Sequence, residues 1–395
     1  MDSSRAGNTT ALVLATCAFL VCFAAWGLVS PLAPYFRELY QLSATQVGLL
    51  VAVPVLLGSV ARIPLGLLTD RYGGRTVFTL LMLASLVPVA LAGFTSSYAS
   101  LLAVSFFLGL AGASFAVGVP FVARWYPPAS QGFALGIYGV GNAGTALAGF
   151  VAPRVAESAG WPVAFWVFLP PLLIMAILFW LFGRDAPGRS PVSGPLRERF
   201  AVFWREPVSL VLALFYFVTF GGFVAIGAYL PTLLVGEYGL DRVDAASRTA
   251  GFIAMATLAR PIGGYFADRI GGTVILNGSF AIVALLAIVL AFRPGMIEIT
   301  VAFLGIAFCL GLGNGAVFKL VSLYFPKSTG TVTGLVGAAG GLGGFFPPLV
   351  MGAVRDVTGS YAIGFMLLSE FALVCLIVNL LALQARAAKL APRRN

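Results

Sequence analysis

Two arginines lie inside long apolar segments of this chain, Arg62 and Arg260. Each is followed eight residues later by an aspartate, Asp70 or Asp268, that ends its apolar segment. In a helix this spacing corresponds to about 12 Å, and a membrane's hydrocarbon core is about 30 Å thick, so both arginines are expected near its middle. Neither arginine has an obvious acidic partner in the sequence. Two buried cations of this kind predict a binding site for an anion.

The residues around the two arginines match at one constant offset of 198, which is half of the 395-residue chain. The matched pairs are Arg62 with Arg260, Gly66 with Gly264, Asp70 with Asp268, Arg71 with Arg269, and residues 73–74 with residues 271–272. The charged residues of the two loops are interpreted as a cytoplasmic charge latch that takes part in gating. These are Asp70, Arg71, Arg75, Asp268 and Arg269.

The composition places the arginines in a membrane. Hydrophobic residues make up 60% and charged residues 10% of the chain, and the mean hydropathy is +0.99, whereas soluble domains contain about 25% charged residues. Twelve apolar segments are long enough to span a bilayer as helices. They lie at about 11–29, 46–69, 76–94, 99–123, 132–153, 162–183, 208–235, 248–267, 274–292, 299–324, 330–353 and 361–385. The sequence therefore predicts an all-α membrane protein with twelve transmembrane helices.

Lys and Arg are unevenly distributed between the two sides of these spans. Fifteen of the 24 lie on the side of the N-terminus, six lie on the opposite side, and Arg62, Arg260 and Lys319 lie within spans. Because cytoplasmic loops are enriched in Lys and Arg, both termini are predicted to be cytoplasmic. The net charge of +10 then reflects topology and contact with anionic membrane lipids rather than binding of nucleic acid. The first segment is expected to remain as a helix rather than to be cleaved as a signal.

The offset of 198 divides the chain into two halves. We expect an N-terminal six-helix bundle at 1–183, a cytoplasmic linker at 184–206 and a C-terminal six-helix bundle at 207–395. Parallel repeats of six spans with a site between them are one way in which secondary transporters are built. No segment is large enough to form a soluble catalytic domain, so an enzyme is not expected.

The fifth and eleventh spans are unusually rich in glycine. Since a glycine costs about 1 kcal/mol relative to alanine in a helix, this density needs a reason. We expect close approach between helices that must slide or leave room for a small solute. The glycines assigned to helix packing are Gly136, Gly139, Gly141, Gly144, Gly337, Gly340, Gly341 and Gly344.

Few residues of the spans are suited to proton transfer or metal binding. The chain contains no histidine, and its four cysteines all fall inside spans, so neither a metal site nor a cofactor is predicted. Glu370 is the one acid near the middle of a span and is the best candidate for a proton carrier, although the last helix usually lies outside a central cavity. Lys319 is expected either to face the cytoplasmic vestibule or to extend towards the membrane surface.

The stretch from Gly66 to Arg75 resembles the loop motif between the second and third helices of the major facilitator superfamily. The paired arginines, together with Gly139–Gly144 and Gly334–Phe345, more specifically resemble the nitrate/nitrite porter family, whose fifth and eleventh helices carry glycine-rich signatures. The resemblance covers essentially the whole chain and implies the major facilitator fold of two parallel six-helix repeats.

The resemblance also implies a set of substrate-binding residues. The substrate is held between the arginines that match Arg62 and Arg260, and an aromatic pair on the seventh helix matches Tyr216 and Phe220. A phenylalanine on the fourth helix matches Phe115, and the signature asparagine matches Asn142. Where the family often has asparagine before that phenylalanine, this chain has Ser114. Asn142 and Asn314 are open to a second reading, as hydrogen-bonding residues between helices.

These residue types suit nitrate. The ion is planar and singly charged, and a guanidinium is a planar fork that can donate two parallel hydrogen bonds. We therefore expect a monomeric transporter of nitrate and nitrite in the cytoplasmic (inner) membrane that works by alternating access. Coupling is open between nitrate/nitrite exchange and symport of nitrate with protons. Exchange needs fewer assumptions, since the chain has no histidine and only one deep acid.

Other classes of function are also compatible with parts of the sequence. The first is a major facilitator carrier of another small anion, such as a carboxylate or cyanate. A transport-derived sensor or a membrane enzyme would need an appended signalling domain or a catalytic constellation, and neither is visible in the sequence. A channel is disfavoured because a site between two repeats suits alternating access.

Overall fold

A computed structural model describes residues 8–187, 205–325 and 329–384 of the chain. Within these ranges the chain forms twelve long helices. In chain order they are α1 (Thr9–Leu39), α2 (Ala44–Tyr72), α3 (Gly74–Ala92), α4 (Tyr98–Ala123), α5 (Ala134–Ala159), α6 (Trp161–Phe182), α7 (Pro207–Tyr238), α8 (Arg242–Ile270), α9 (Gly272–Ala291), α10 (Met296–Tyr324), α11 (Val332–Thr358) and α12 (Ala362–Leu383). Most of the linker expected at 184–206, namely 188–204, lies outside the described residues.

The predicted all-α membrane fold is confirmed. Eleven helices of the described ranges are long and apolar enough to cross a membrane. The twelfth, α8, is a continuous helix of 29 residues that is less apolar because it carries Arg260 and several glycines. Like α2, α8 thus carries an arginine inside a long helix, and such a charge is informative about function.

Both halves contain the same arrangement of helices. In the N-terminal half α1 packs on α5, α2 on α4, and α3 on α6, and in the C-terminal half α7 packs on α11, α8 on α10, and α9 on α12. The halves meet along three seams, where α1 packs on α7, α2 on α11, and α5 on α8. The arginine-bearing helices α2 and α8 therefore both line the interface between the halves.

Several helices are interrupted where the predicted site residues lie. In α2 the helix breaks at Ala61, directly before Arg62, because Pro64 has no N–H to donate to the carbonyl of Val60. α5 contains a 3₁₀ turn at Val140–Asn142, and α4 breaks at Ala113, two residues before Phe115. The breaks thus lie next to or within two residues of Arg62, Phe115 and Asn142.

The glycine pair of each loop motif forms the turn into the next helix. Gly73 and Gly271 have φ values of 93° and 96°, a region that residues with a side chain rarely adopt. Their neighbours Gly74 and Gly272 lie against the ring of Phe121 and the side chain of Leu320, where an added methyl would stand 2.5 and 2.8 Å from those groups. Turn geometry and packing together explain why this pair recurs at the same offset.

Hydrogen bonds between the halves, in the described part of the chain, lie at the arginines or on the side away from the two loop motifs. On that side Ser30 Oγ donates to the carbonyls of Gly227 and Ala228, at 3.0 and 2.7 Å. Asp356 of α11 accepts from the backbone N–H groups of Ala44 and Thr45 at the start of α2, at 2.9 and 2.8 Å. Further bonds join Arg154 to Ser247 and Glu38 to Arg242. The interface is thus closed on this side.

Candidate functional site

The two predicted arginines meet around one aromatic ring. The guanidinium carbon of Arg62 lies 5.6 Å from the centroid of the Phe220 ring, and that of Arg260 lies 5.7 Å from the same centroid. Arg62 comes from α2, Arg260 from α8 and Phe220 from α7, so the cluster draws on both halves. No carboxylate among the described residues forms an ion pair with either arginine.

Arg62 crosses the interface between the halves. Its side chain is buried and its Nη1 donates to the carbonyl of Gly337 in α11 at 2.6 Å. The guanidinium also lies over the Phe115 ring at 5.6 Å from the centroid. Its Nε is buried and has no hydrogen-bond partner in the described structure.

Arg260 is held by the aromatic pair of α7. Its Nη2 donates to the hydroxyl of Tyr216 at 3.2 Å, and its Nη1 is buried without a partner in the described part of the chain. The rings of Tyr216 and Phe220 stack with centroids 5.0 Å apart and planes 6° apart. One turn of α7 thus supplies both a flat aromatic wall and a hydroxyl that orients the guanidinium.

Each arginine therefore keeps one buried donor without an acceptor, Nε of Arg62 and Nη1 of Arg260. A buried donor without a partner costs about 1–3 kcal/mol, and more when the group is charged. An anion with several oxygen acceptors between the two guanidinium groups would remove this cost and reduce the repulsion between their charges. The chemistry of the cluster thus suits a small oxyanion.

Asn142 has a local hydrogen bond in this structure. Its amide donates to the carbonyl of Gly139 at 2.6 Å within the 3₁₀ turn of α5, and its Oδ1 is buried without a described partner. The Oδ1 of Asn314 in α10 is likewise buried without one. In this conformation Asn142 stabilises the turn, and its role towards substrate stays a prediction. The hydroxyl of Ser114, beside Phe115, is also buried without a described partner.

Three residues that sequence reasoning missed complete the cluster. Ser59 lies one turn before Arg62, and an added methyl at Gly341 would collide with its hydroxyl. Phe318 packs edge-on against Tyr216 with centroids 4.8 Å apart. Tyr138 lies one turn before Asn142 and packs against Phe115 at 6.1 Å. The i+3 and i+4 spacings from Arg62 and Asn142 were the available signal for Ser59 and Tyr138.

The predicted packing glycines divide into two groups. A methyl group would collide with the Tyr216 ring at Gly340, with Phe19 at Gly141 and with the carbonyl oxygen of Leu20 at Gly144. At Gly341 it would stand 3.1 Å from Arg62 Nη1, and at Gly344 it would stand 2.6 Å from Val224.

The expected close approach is absent at the other glycines. A methyl at Gly136 or Gly139 would meet no atom within 4 Å, and one at Gly337 would be in ordinary contact with Phe115 at 3.6 Å. Gly136 and Gly139 lie on the part of α5 that precedes the 3₁₀ turn, towards the loop motifs. In this conformation no other helix approaches these two glycines closely, and their packing role stays a prediction.

Each loop-motif charge has at least one contact within its own half. Asp70 pairs with Arg124 of α4 at 2.7 Å, and Asp268 pairs with Lys319 of α10, which places Lys319 beside the second loop motif. Arg75 Nε donates to the carbonyl of Trp180 at 2.9 Å. The guanidinium groups of Arg71 and Arg269 lie over the rings of Tyr72 and Tyr265 at 5.2 and 4.4 Å. Their gating role stays a prediction.

Glu370 lies outside the arginine cluster. It is on an exposed face of α12, a helix that packs on α9, α7 and α11 and not on α2 or α8. A carboxyl in this position faces the surroundings of the protein rather than the space between the halves. The expectation that the last helix lies apart from the cavity fits this placement.

Comparison with known proteins agrees with the predicted fold and family. A sequence model of the Major Facilitator Superfamily matches residues 14–348. The chain is 43% identical over 367 residues to the nitrite extrusion protein of Bacillus subtilis, covering 93% of this chain and 92% of that protein. It is 43% identical over 374 residues to the probable nitrate/nitrite transporter NarK2 of Mycobacterium tuberculosis, covering 93% and 95%. It is 40% identical over 367 residues to the probable nitrate transporter NarT of Staphylococcus epidermidis, covering 93% and 94%.

Solved structures share the fold at low sequence identity. A bacterial homologue of the lysosomal transporter Spinster, in an inward-facing and occupied conformation, aligns with a TM-score of 0.73 at 19% identity over 94% of this chain and 96% of that one. The human organic anion transporter MFSD10 aligns with a TM-score of 0.75 at 17% identity over 94% and 99%. The chain thus belongs to the major facilitator superfamily. Within it, the chain is a member of the nitrate/nitrite porter family, which confirms the resemblance seen in the sequence.

Proposed function

We propose that the protein carries nitrate and nitrite across the cytoplasmic membrane by alternating access, with both termini in the cytoplasm. The observation that carries the proposal is the pair of guanidinium groups that meet at Phe220, each with a buried donor left unpaired and with no described carboxylate to neutralise it. The relatives at about 40% identity, which are named as nitrate or nitrite transporters, support the choice of ion.

The geometry suits a flat monovalent oxyanion. Arg62 and Arg260 approach from opposite halves, while Phe220, Tyr216 and Phe115 supply apolar walls. Nitrate and nitrite are flat, so they fit a narrow site with apolar walls, and the two guanidinium groups replace the hydrogen bonds that the ion loses on leaving water. A carrier of a carboxylate or cyanate remains the second candidate, because the same arginines bind those anions.

The anion also links binding to the change of access. Without it, two like charges repel across the interface, and buried donors lack acceptors. With it, both halves gain hydrogen bonds to one ligand, so closing around the site becomes favourable. The empty carrier then reorients poorly, which favours exchange of nitrate for nitrite over net uptake. The placement of Glu370 outside the cluster supports exchange as well.

Uptake into proteoliposomes tests this proposal. Nitrate uptake is measured into vesicles that contain either nitrite or buffer, with and without an inward proton gradient. We expect internal nitrite to accelerate uptake, the gradient to have no effect, and Glu370→Gln to behave as the wild type. Acceleration by the gradient alone, lost in Glu370→Gln, would establish proton symport instead. A competing carboxylate or cyanate that nitrate fails to displace would move the substrate to that anion.

A further inference from the structure

A second pocket lies between the halves on the closed side, at the outer ends of α1 and α7. Arg37 and Glu38 of α1 line it together with Thr232 and Gly236 of α7. The guanidinium of Arg37 packs on the backbone of Gly236, where an added methyl would stand 3.0 Å from Arg37 Nη1. The pocket is therefore a meeting point of both halves, like the central site, but it lies beyond the closed interface.

Arg37 and Glu38 are the charged residues that line this pocket, and most of the charged groups that follow them in the fold are paired. Glu38 pairs with Arg242, and Glu237 pairs with both Arg293 and Arg355, at 3.2 and 2.6 Å. Asp356 accepts from the N–H groups at the start of α2. Arg37 is left without an ion pair or side-chain hydrogen bond in the described part of the chain. Arg37 is thus a pocket-lining cation with no ion-pair partner among the described residues.

The hydroxyl-bearing residue Thr232 lines the same pocket as Arg37. Thr232 is 1% exposed, and its hydroxyl is buried with no described partner. A threonine hydroxyl inside a helix can bond to a carbonyl of the preceding turn, and that of Thr232 forms no such bond. Thr232 stands one turn of α7 before Gly236, the residue that Arg37 covers. A guanidinium without a counterion and a hydroxyl without an acceptor therefore share one pocket.

We propose that this outer pocket binds a small monovalent anion and holds the carrier's substrate at the external entrance before the halves open. The inference rests on the proposed function and its orientation. Deeper along the same seam lies a mainly apolar pocket lined by residues such as Trp26, Phe223 and Ile253. An anion has little to bind there, so the outer pocket is the last favourable position on the α1–α7 seam before Arg62 and Arg260.

Removal of the positive charge of Arg37 tests the inference. Arg37→Gln is compared with Arg248→Gln, which removes the same charge from an outer arginine that is already paired with Asp244. We expect Arg37→Gln to raise the KM for external nitrate about fivefold, with the KM for internal nitrate and the maximal rate unchanged. The effect should shrink as ionic strength is raised with potassium gluconate. Arg37→Lys should retain most of the external affinity, and Thr232→Val should lose part of it.

The outcomes separate this site from the central one. An external KM in Arg37→Gln equal to that of Arg248→Gln would overturn the inference. Equal changes on both sides of the membrane would also overturn it, because they would place the effect at the central site or in the closing of the interface. If the wild type carries no nitrate at all, the proposed function fails instead, and that result is recognised before any variant is made.

Discussion

At the level of single residues, the shape of the guanidinium group matters as much as its charge. Arg62 donates one hydrogen bond to the carbonyl of Gly337, and Arg260 donates one to the hydroxyl of Tyr216. Each keeps a further buried donor without a partner in the described structure. A lysine ammonium at either position keeps the positive charge but not the planar set of donors. Lysine at either position would therefore lose the fixed planar geometry in which arginine holds its protein partner and presents further donors to the anion.

Replacement of either arginine by lysine tests whether the planar guanidinium is needed. We expect Arg62→Lys and Arg260→Lys each to lower kcat/KM for nitrate by about ten- to a hundredfold, since a hydrogen bond to a charged group contributes about 1.5–3 kcal/mol. Uptake into proteoliposomes measures the effect, and size-exclusion chromatography checks that the protein is folded. Arg248→Lys, at the outer surface, serves as the matched control. Wild-type uptake in Arg62→Lys or Arg260→Lys would refute the role of the planar guanidinium.

Residues of the site differed in how well the sequence predicted them. Arg62 and Arg260 stood out because a charge is rare in an apolar span and because it recurs at a fixed offset. Phe318 carried no such signal, since it is one of 33 phenylalanines in the chain and packs on Tyr216 through tertiary structure alone. Tyr216 and Phe220 were assigned from family resemblance, because an aromatic pair at helical spacing is ordinary core.

At the level of helices, the glycines of α5 and α11 belong to two environments. Gly144 lies against the backbone of α1 within the N-terminal half, and its side of the molecule is closed. Gly136 and its repeat partner Gly334 have no atom within 4 Å of an added methyl. Since glycine is costly in a helix, open positions of this kind need another state in which they are approached. Closure of the loop-motif side would supply that state.

Alanine at these positions separates the two environments. We expect Gly136→Ala and Gly334→Ala to keep or raise the melting temperature, because alanine is the better helix former, while nitrate turnover falls about fivefold or more. Gly144→Ala should instead lower the melting temperature, since its methyl would meet the carbonyl oxygen of Leu20. Thermal unfolding and uptake on the same preparations provide both readouts. Unchanged turnover in both open-site variants would show that no other state approaches these glycines.

The contact between α2 and α11 is the clearest bond across the closed side. Asp356 accepts the first backbone N–H groups of α2 from the other half of the molecule. A carboxylate at a helix N-terminus contributes about 0.5–2 kcal/mol, and here that energy depends on the two halves being together. Gly48 and Gly352 allow the approach, because a methyl at either would collide with a carbonyl oxygen of the opposite helix.

Neutralisation of Asp356 should shift the carrier towards the state that is open on this side. We expect Asp356→Asn to increase the population of long distances between spin labels at the exposed positions Phe94 and Ile297, one in each half, with Cys17 replaced by serine. Asp241→Asn is the matched control, because Asp241 caps α8 within its own half. Distance distributions from pulsed electron resonance measure the shift. The same distribution in Asp356→Asn and in the control would rule out the carboxylate as a determinant of closure.

At the level of the whole molecule, the repeat could be predicted but the conformation could not. The offset of 198 predicted two equal bundles and a site between them, because paired motifs need no knowledge of packing. Which side is closed depends on pairs such as Asp356 with Ala44, which are 312 residues apart and have no common pattern. The same holds for the outer pocket, whose arginine and threonine come from different halves. Long-range complementarity of this kind is visible only once the helices are assembled.

The central claim is that two arginines, one from each half, hold one anion between them. It is tested most directly by calorimetric titration of nitrate into the purified protein and into Arg62→Lys, Arg260→Lys and the double variant. If both guanidinium groups bind the same ion, the losses in binding free energy are not additive, and the coupling energy should be about 1 kcal/mol or more. Fully additive losses, or wild-type affinity in either single variant, would show that the arginines do not share one ion.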